Sequence, residues 1–138
     1  MDQSFREFAD HYYEVWRSSS IDSLRNIIAE DYQGREINGG KPVDFGFGES
    51  VSGWEQGFTF VKENNAKWVL EEIATFTLRT DEVMMVVSAT MDIGGKRMDT
   101  GNVLFQTFKK DGTDEWKLVR SYIEAGIPAE NLGKVHFS

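Results

Sequence analysis

The stretch DEVMMVVSATMDIGGKRM, residues 81–98, decides the fold. Val83, Met85, Val87, Ala89, Met91 and Ile93 occupy every second position, so an extended chain places them on one face. Asp81-Glu82 precedes this run and Gly94-Gly95 follows it, and a Gly-Gly pair between two extended runs signals a hairpin turn. Working outward, residues 68–80 form a second run that turns at Asp81-Glu82. Residues 98–108 form a third, turning again through Lys109-Lys110-Asp111-Gly112, and residues 116–125 form a fourth. Links this short join antiparallel neighbours, so the second half of the chain is a meander. Gly126-Ile127-Pro128 ends it, and residues 127–138 are expected to be a loose or partner-docked C-terminal tail.

Toward the N-terminus the period changes from two to between three and four. Phe5, Phe8, Tyr12, Val15 and Trp16 share one helical face, behind a capping-box spacing of Ser4 and Glu7. Arg17-Ser18-Ser19-Ser20 breaks that helix, and Ile21, Leu24, Ile27 and Ile28 outline a shorter one. A third helix is expected to open at Ser52 with Glu55 three places on, to carry Trp54, Phe58 and Val61 as its stripe, and to stop at Asn64-Asn65. Residues 31–37 are a short strand candidate. The stretch NGGKPVDFGFGESV, residues 38–51, is expected to be a flexible loop near a cavity mouth, because its glycines and proline oppose regular structure. Phe45 and Phe47 within it need cover from that cavity, a second subunit or the domain's own core.

Helices segregated before a meander make an α+β architecture. Long strands twist and coil. The expectation is a single domain over residues 1–138: a cone-shaped, curved antiparallel sheet wrapped around three N-terminal helices, with space between the layers.

Composition narrows the function. The net charge of −8, with lysines and arginines scattered, sets nucleic acid and anionic membranes aside as partners. The absence of cysteine excludes disulfides, thiolate catalysis and thiolate zinc sites. His11 and His136 lack paired spacing, so no metal site is expected. Gly39-Gly40-Lys41 lacks the phosphate-loop spacing, no G-x-S-x-G marks a nucleophile, and no cofactor is expected. No apolar stretch reaches the length of a membrane span and the first residues do not read as a secretory signal, so a cytoplasmic location is the default expectation.

IAEDYQGRE, residues 28–36, followed by SGWEQGFTF, residues 52–60, resembles the nuclear-transport-factor-like superfamily. That group includes ketosteroid isomerase, scytalone dehydratase and the SnoaL-like polyketide cyclases, which share a cystatin-like roll. The resemblance rests on the acidic pair Glu30-Asp31 opening the first strand, on Gly53-Trp54-Glu55-Gln56, and on the order of elements along about the whole chain. It implies a pocket for a small apolar molecule, a homodimer formed through the sheet, and cofactor-independent chemistry of the isomerase, cyclase or dehydratase type. Position by position, it implies Tyr12 as an oxyanion donor and Glu36 as a general base. The isomerase's second donor falls on Leu104, which has nothing to donate; a slip of two residues would bring Asn102 or Gln106 there, each with an amide. The alternative is a ligand-binding or protein-interaction module of the same fold without chemistry.

The residues themselves leave choices open. Glu36 shares a strand face with Tyr32 and Gly34, which makes it a desolvated acid if that face is the cone interior and a surface carboxylate if the strand frays. Tyr12 sits on the buried helical stripe, where a hydroxyl more commonly serves the core. Trp54, Phe58 and Trp68 either line the pocket with Tyr32, Asn102 and Leu104 or fill it. Glu72 shares the apolar parity of its strand, and a bulge at Glu71-Glu72 that turns it outward is the adopted reading. Val103, Phe105, Val119 and Ile123 share one parity and Leu104, Phe108, Trp116, Leu118 and Tyr122 the other, so the sheet is apolar on both faces and a second copy is expected to cover the outer one.

Overall fold

The aromatic stripe of the first helix finds its complement on the last three long strands. In a computed structural model, which describes residues 3–138, helix α1 (Gln3–Arg17) lays Phe5, Ala9, Tyr12 and Trp16 against the concave face of a sheet. The order continues α2 (Ile21–Ile27), β1 (Ile28–Asn38), β2 (Lys41–Phe45), α3 (Phe47–Glu63), β3 (Ala66–Arg79), β4 (Glu82–Ile93), β5 (Lys96–Arg97), β6 (Thr100–Lys110) and β7 (Trp116–Pro128). A single 3-10 turn, Ala129–Asn131, follows.

The strands lie in the order β2-β1-β7-β6-β4-β3, with β5 beside β4. The meander of β3, β4, β6 and β7 is antiparallel throughout. One pairing is not: β1 runs parallel to β7, with Gly34 opposite Ser121 and Glu36 opposite Ile123. No short link constrains that pair, because the whole meander separates the two strands in sequence. The result is a curved mixed sheet with helices on its inner side, an α+β cone.

The stretch expected to be a loop is ordered. Gly39 and Gly40, with φ of 59° and 78°, make the turn of a hairpin, and β2 pairs with β1 from Asn38–Lys41 to Gly34–Phe45. Helix α3 then opens at Phe47, five residues before Ser52. Its start is set by Gly46, whose amide donates to Glu49 Oε1 at 3.2 Å and whose carbonyl accepts from the Ser50 amide at 2.9 Å. The glycines punctuate two elements here rather than dissolving both. At the other N-terminus Ser4 is already helical, and its hydroxyl accepts the indole N–H of Trp116 at 3.2 Å. Phe45 and Phe47 both pack against the domain's own core.

Irregularities re-aim side chains. The bulge in β3 falls after Glu72, between it and Ala74, so Glu72 stays on the helix side. There it accepts two hydrogen bonds from Arg6, at 2.9 and 3.1 Å, one from the Tyr13 hydroxyl at 2.8 Å and one from Thr75 at 2.9 Å. Tyr13 is therefore buried and not a solvent-facing ring. A second register shift, opposite Val119, brings Ile123 onto the face of Leu104 and Tyr122 onto the face of Phe105. The tail is anchored at Leu132, which is buried, while the residues after it are exposed; Gly101 is required beside Leu132, since a Cβ there would stand 2.7 Å from Leu132 Cδ1 and 2.6 Å from the Ala89 carbonyl.

Burial pushes the Glu72 carboxyl up, but the hydrogen bonds from Arg6, Tyr13 and Thr75 outweigh it and hold the group below the ordinary 4.5. Burial likewise pushes the Glu82 carboxyl up, and Arg120 and Arg79 outweigh it and hold the group below its ordinary value. A folded value below the unfolded one means stability that is complete above the ordinary value and lost as pH falls through the folded one. The thermal midpoint is expected to drop below a pH of about 4.5, and Glu72→Gln to blunt that drop; a midpoint flat into strong acid would refute this.

Candidate functional site

The cone is solid at one end and hollow at the other. At the solid end Phe108 meets Phe5, Phe8 and Tyr12 at ring-centroid distances of 5.8, 5.3 and 5.2 Å, and Phe5 meets Trp116 at 5.0 Å. At the other end a cavity of about 610 Å³ opens between α3, β1, β2 and the coiled sheet. Its wall holds Trp16, Trp54 and Trp68, with Trp16 edge-on to Trp54 at 4.8 Å and to Trp68 at 6.0 Å.

Each ring is held from behind. The indole N–H of Trp68 donates to Ser19 Oγ at 3.0 Å. Ser19 takes φ of 54° where α1 ends, a conformation that favours glycine, and the buried hydroxyl gives a serine a reason to stand there. Phe58 lies behind Trp54 and Trp68, at 5.7 and 6.3 Å, and does not itself line the cavity. Gly34 lets Phe45 cross β1, because a Cβ at that position would stand 2.4 Å from Phe45 Cζ and 2.7 Å from the Tyr32 hydroxyl.

Glu36, Tyr32, Asn102, Leu104 and Gln106 all face the cavity. Glu36 is half-buried, and among the described residues its carboxylate has no hydrogen-bond or ion-pair partner. Burial pushes the Tyr32 phenol up against its hydrogen bonds with Ser121 and Ser50, and the nearby charge of Glu36 adds to the rise. Asn102 Oδ1 accepts the Gly126 amide at 3.4 Å. Glu49 sits at the rim.

Tyr12 does not reach the cavity. It is fully buried, and its hydroxyl donates to Gln106 Oε1 at 2.9 Å. Burial pushes its phenol well up, so it stays protonated and serves as a fixed prop. With Oε1 occupied, the amide N–H₂ is the end of Gln106 left for the cavity. Tyr12→Phe should strip Gln106 of that donor and cost roughly 1–3 kcal/mol in urea unfolding; an unchanged midpoint would show that the bond contributes nothing. Gln106 carried a signal in the sequence, as a polar residue at period two between Leu104 and Phe108 on an apolar face. Phe45 carried one as a ring in a glycine-rich stretch that needed cover, whereas Trp16 carried none, since a stripe position does not say which end of a cone is hollow.

No family model matches this sequence, and no curated protein matches it either. Solved structures do match its shape. An NTF2-like protein of unknown function from Pseudomonas putida KT2440 is similar with a TM-score of 0.69 at 12% identity, over 98% of this chain and 92% of that one. A domain of unknown function with a cystatin-like fold from Nostoc punctiforme gives 0.67 at 14%, over 93% and 78%. An NTF2-like protein from Novosphingobium aromaticivorans, also cystatin-like, gives 0.65 at 15%, over 88% and 79%. The fold is the nuclear-transport-factor-like, cystatin-like cone. No helix among the described residues is long and apolar enough to cross a membrane.

Proposed function

We propose that this protein takes a small, largely apolar molecule into the open end of the cone. The observation that carries this reading is the cavity of about 610 Å³, walled by three tryptophans and furnished with only a few polar groups. That is the usual make-up of a small-molecule site. Because three of the four tryptophans line it, occupancy should alter the intrinsic emission. Native mass spectrometry of the protein as purified should also find a retained small molecule. Failure of both, across a panel of apolar carbonyl compounds, would end the reading.

A second reading, SnoaL- or isomerase-like proton transfer, is favoured by the unpartnered carboxylate of Glu36. A base must face its substrate with its lone pairs free, and the place of Glu36 in the cavity lining is compatible with that role. The donors to a developing oxyanion would then be the amides of Gln106 and Asn102, with Tyr12 acting behind Gln106. Glu36→Gln should abolish turnover and shift the melting temperature by less than about 2 °C, because no partner in the chain loses a bond; activity that persists would remove Glu36 from the chemistry.

The outer sheet face supports a homodimer. Phe76, Leu78 and Tyr122 are exposed large hydrophobic residues, and Phe76 and Tyr122 lie on the side away from the helices, with Val86 and Phe105. A second copy would cover them, and sedimentation distinguishes the 15.8 kDa chain from a pair.

A further inference from the structure

We infer that the molecule taken up by the cavity carries a cationic group, an organic ammonium seated among the indole rings against Glu36. This rests on the reading that the cavity binds a small molecule, and narrows it to a chemical class.

The lining is lopsided in charge. Among the described residues Glu36 and Glu49 are its only charged side chains, and no Lys, Arg or His joins them. Two other inward-set carboxylates are met by cations of the chain itself. Glu72 has Arg6, and Glu82 has both Arg79 and Arg120. Glu49 has the Gly46 amide. Among the described residues Glu36 has no such partner. An uncharged ligand that displaced water from Glu36 would leave a carboxylate desolvated and unpaired, which is costly. An anion would fare worse, since it would meet both carboxylates.

The rings point the same way. Trp16 stands at 86° to Trp54 and 68° to Trp68, so the wall presents indole planes in different orientations around one corner. Indole faces attract cations through the ring quadrupole, and planes set at angles form the cages that hold quaternary ammonium groups. The net charge of −8 adds a field that draws cations in.

Benzyltrimethylammonium is the probe, because its charge does not titrate, with neopentylbenzene as its uncharged carbon isostere. Binding of each is read by calorimetry and by tryptophan emission. The cation should bind on the order of tenfold more tightly than the isostere. Glu36→Gln should remove most of that preference by weakening the cation and tightening the isostere, whose retained binding also reports that the variant is folded. Equal or tighter binding of the isostere would overturn the cationic class while leaving the pocket reading standing. A cation preference untouched by Glu36→Gln would overturn the seat at Glu36. If neither probe binds up to its solubility limit, the cationic class is overturned, while the pocket reading is decided separately by the carbonyl panel and native mass spectrometry.

Discussion

Replacing Gly53 with tryptophan should weaken ligand uptake severely and leave the protein folded. Gly53 lies inside α3, lines the cavity, and has open space where a Cβ would stand, with no atom within 4 Å. A large ring built there extends into that space instead of colliding with the core. Helix-interior glycine is itself unfavourable by up to about 1 kcal/mol against alanine, so the exchange removes a small penalty. Affinity for any cavity ligand should fall on the order of a hundredfold, which is about 2.7 kcal/mol, while the thermal midpoint stays within a few degrees. Calorimetry against whichever probe the wild-type chain binds gives the first number, and a melting curve the second. Undiminished binding would place the ligand outside the cone.

The opposite result is expected at the solid end. Phe108 is fully buried, pairs across β6 with Leu118 on β7 and Val83 on β4, and meets three rings of α1. It is where the first helix is fastened to the sheet. Phe108→Ala should cost about 3–5 kcal/mol, since truncation removes both the transfer energy of the ring and the contacts of its neighbours. Set against a typical total of about 5–15 kcal/mol, that is a large share. Urea unfolding should show a lower midpoint with an unchanged slope, and native protein at low denaturant should still bind its ligand, because the hollow lies at the other end. A loss below about 1 kcal/mol would mean that α1 is held elsewhere.

The two variants test two halves of one architecture, and those halves were unequally legible. Alternation in residues 83–93 and the turns around it define antiparallel hairpins, because the period of two and the short links are local properties of the chain. The stripe of α1 was legible for the same reason. Residues 38–51 were not, although their glycines were plain to see. A glycine permits a turn or a helix cap equally well, and which one it makes depends on whether its neighbours find a partner strand. Lys41–Phe45 found β1, and Gly46 found the side chain of Glu49.

The candidate site divides along the same line. Glu36, Tyr32, Trp54, Trp68, Asn102 and Leu104 were picked out by parity and by resemblance, and all face the cavity. Tyr12 and Phe58 were picked out by the same means and do not, because a helical stripe marks the inward side without saying how deep each ring goes. Bulges at Ile73 and opposite Val119 shift faces by one residue, and no local pattern announces them. Nearest-neighbour chemistry along the chain was enough to define the three helices, the four long strands of the meander and their order. The parallel meeting of β1 with β7, the filling of one end of the cone and the solitude of Glu36 arise from contacts between residues tens of positions apart. Those contacts are settled when the layers close, and a carboxylate's partners cannot be counted before then.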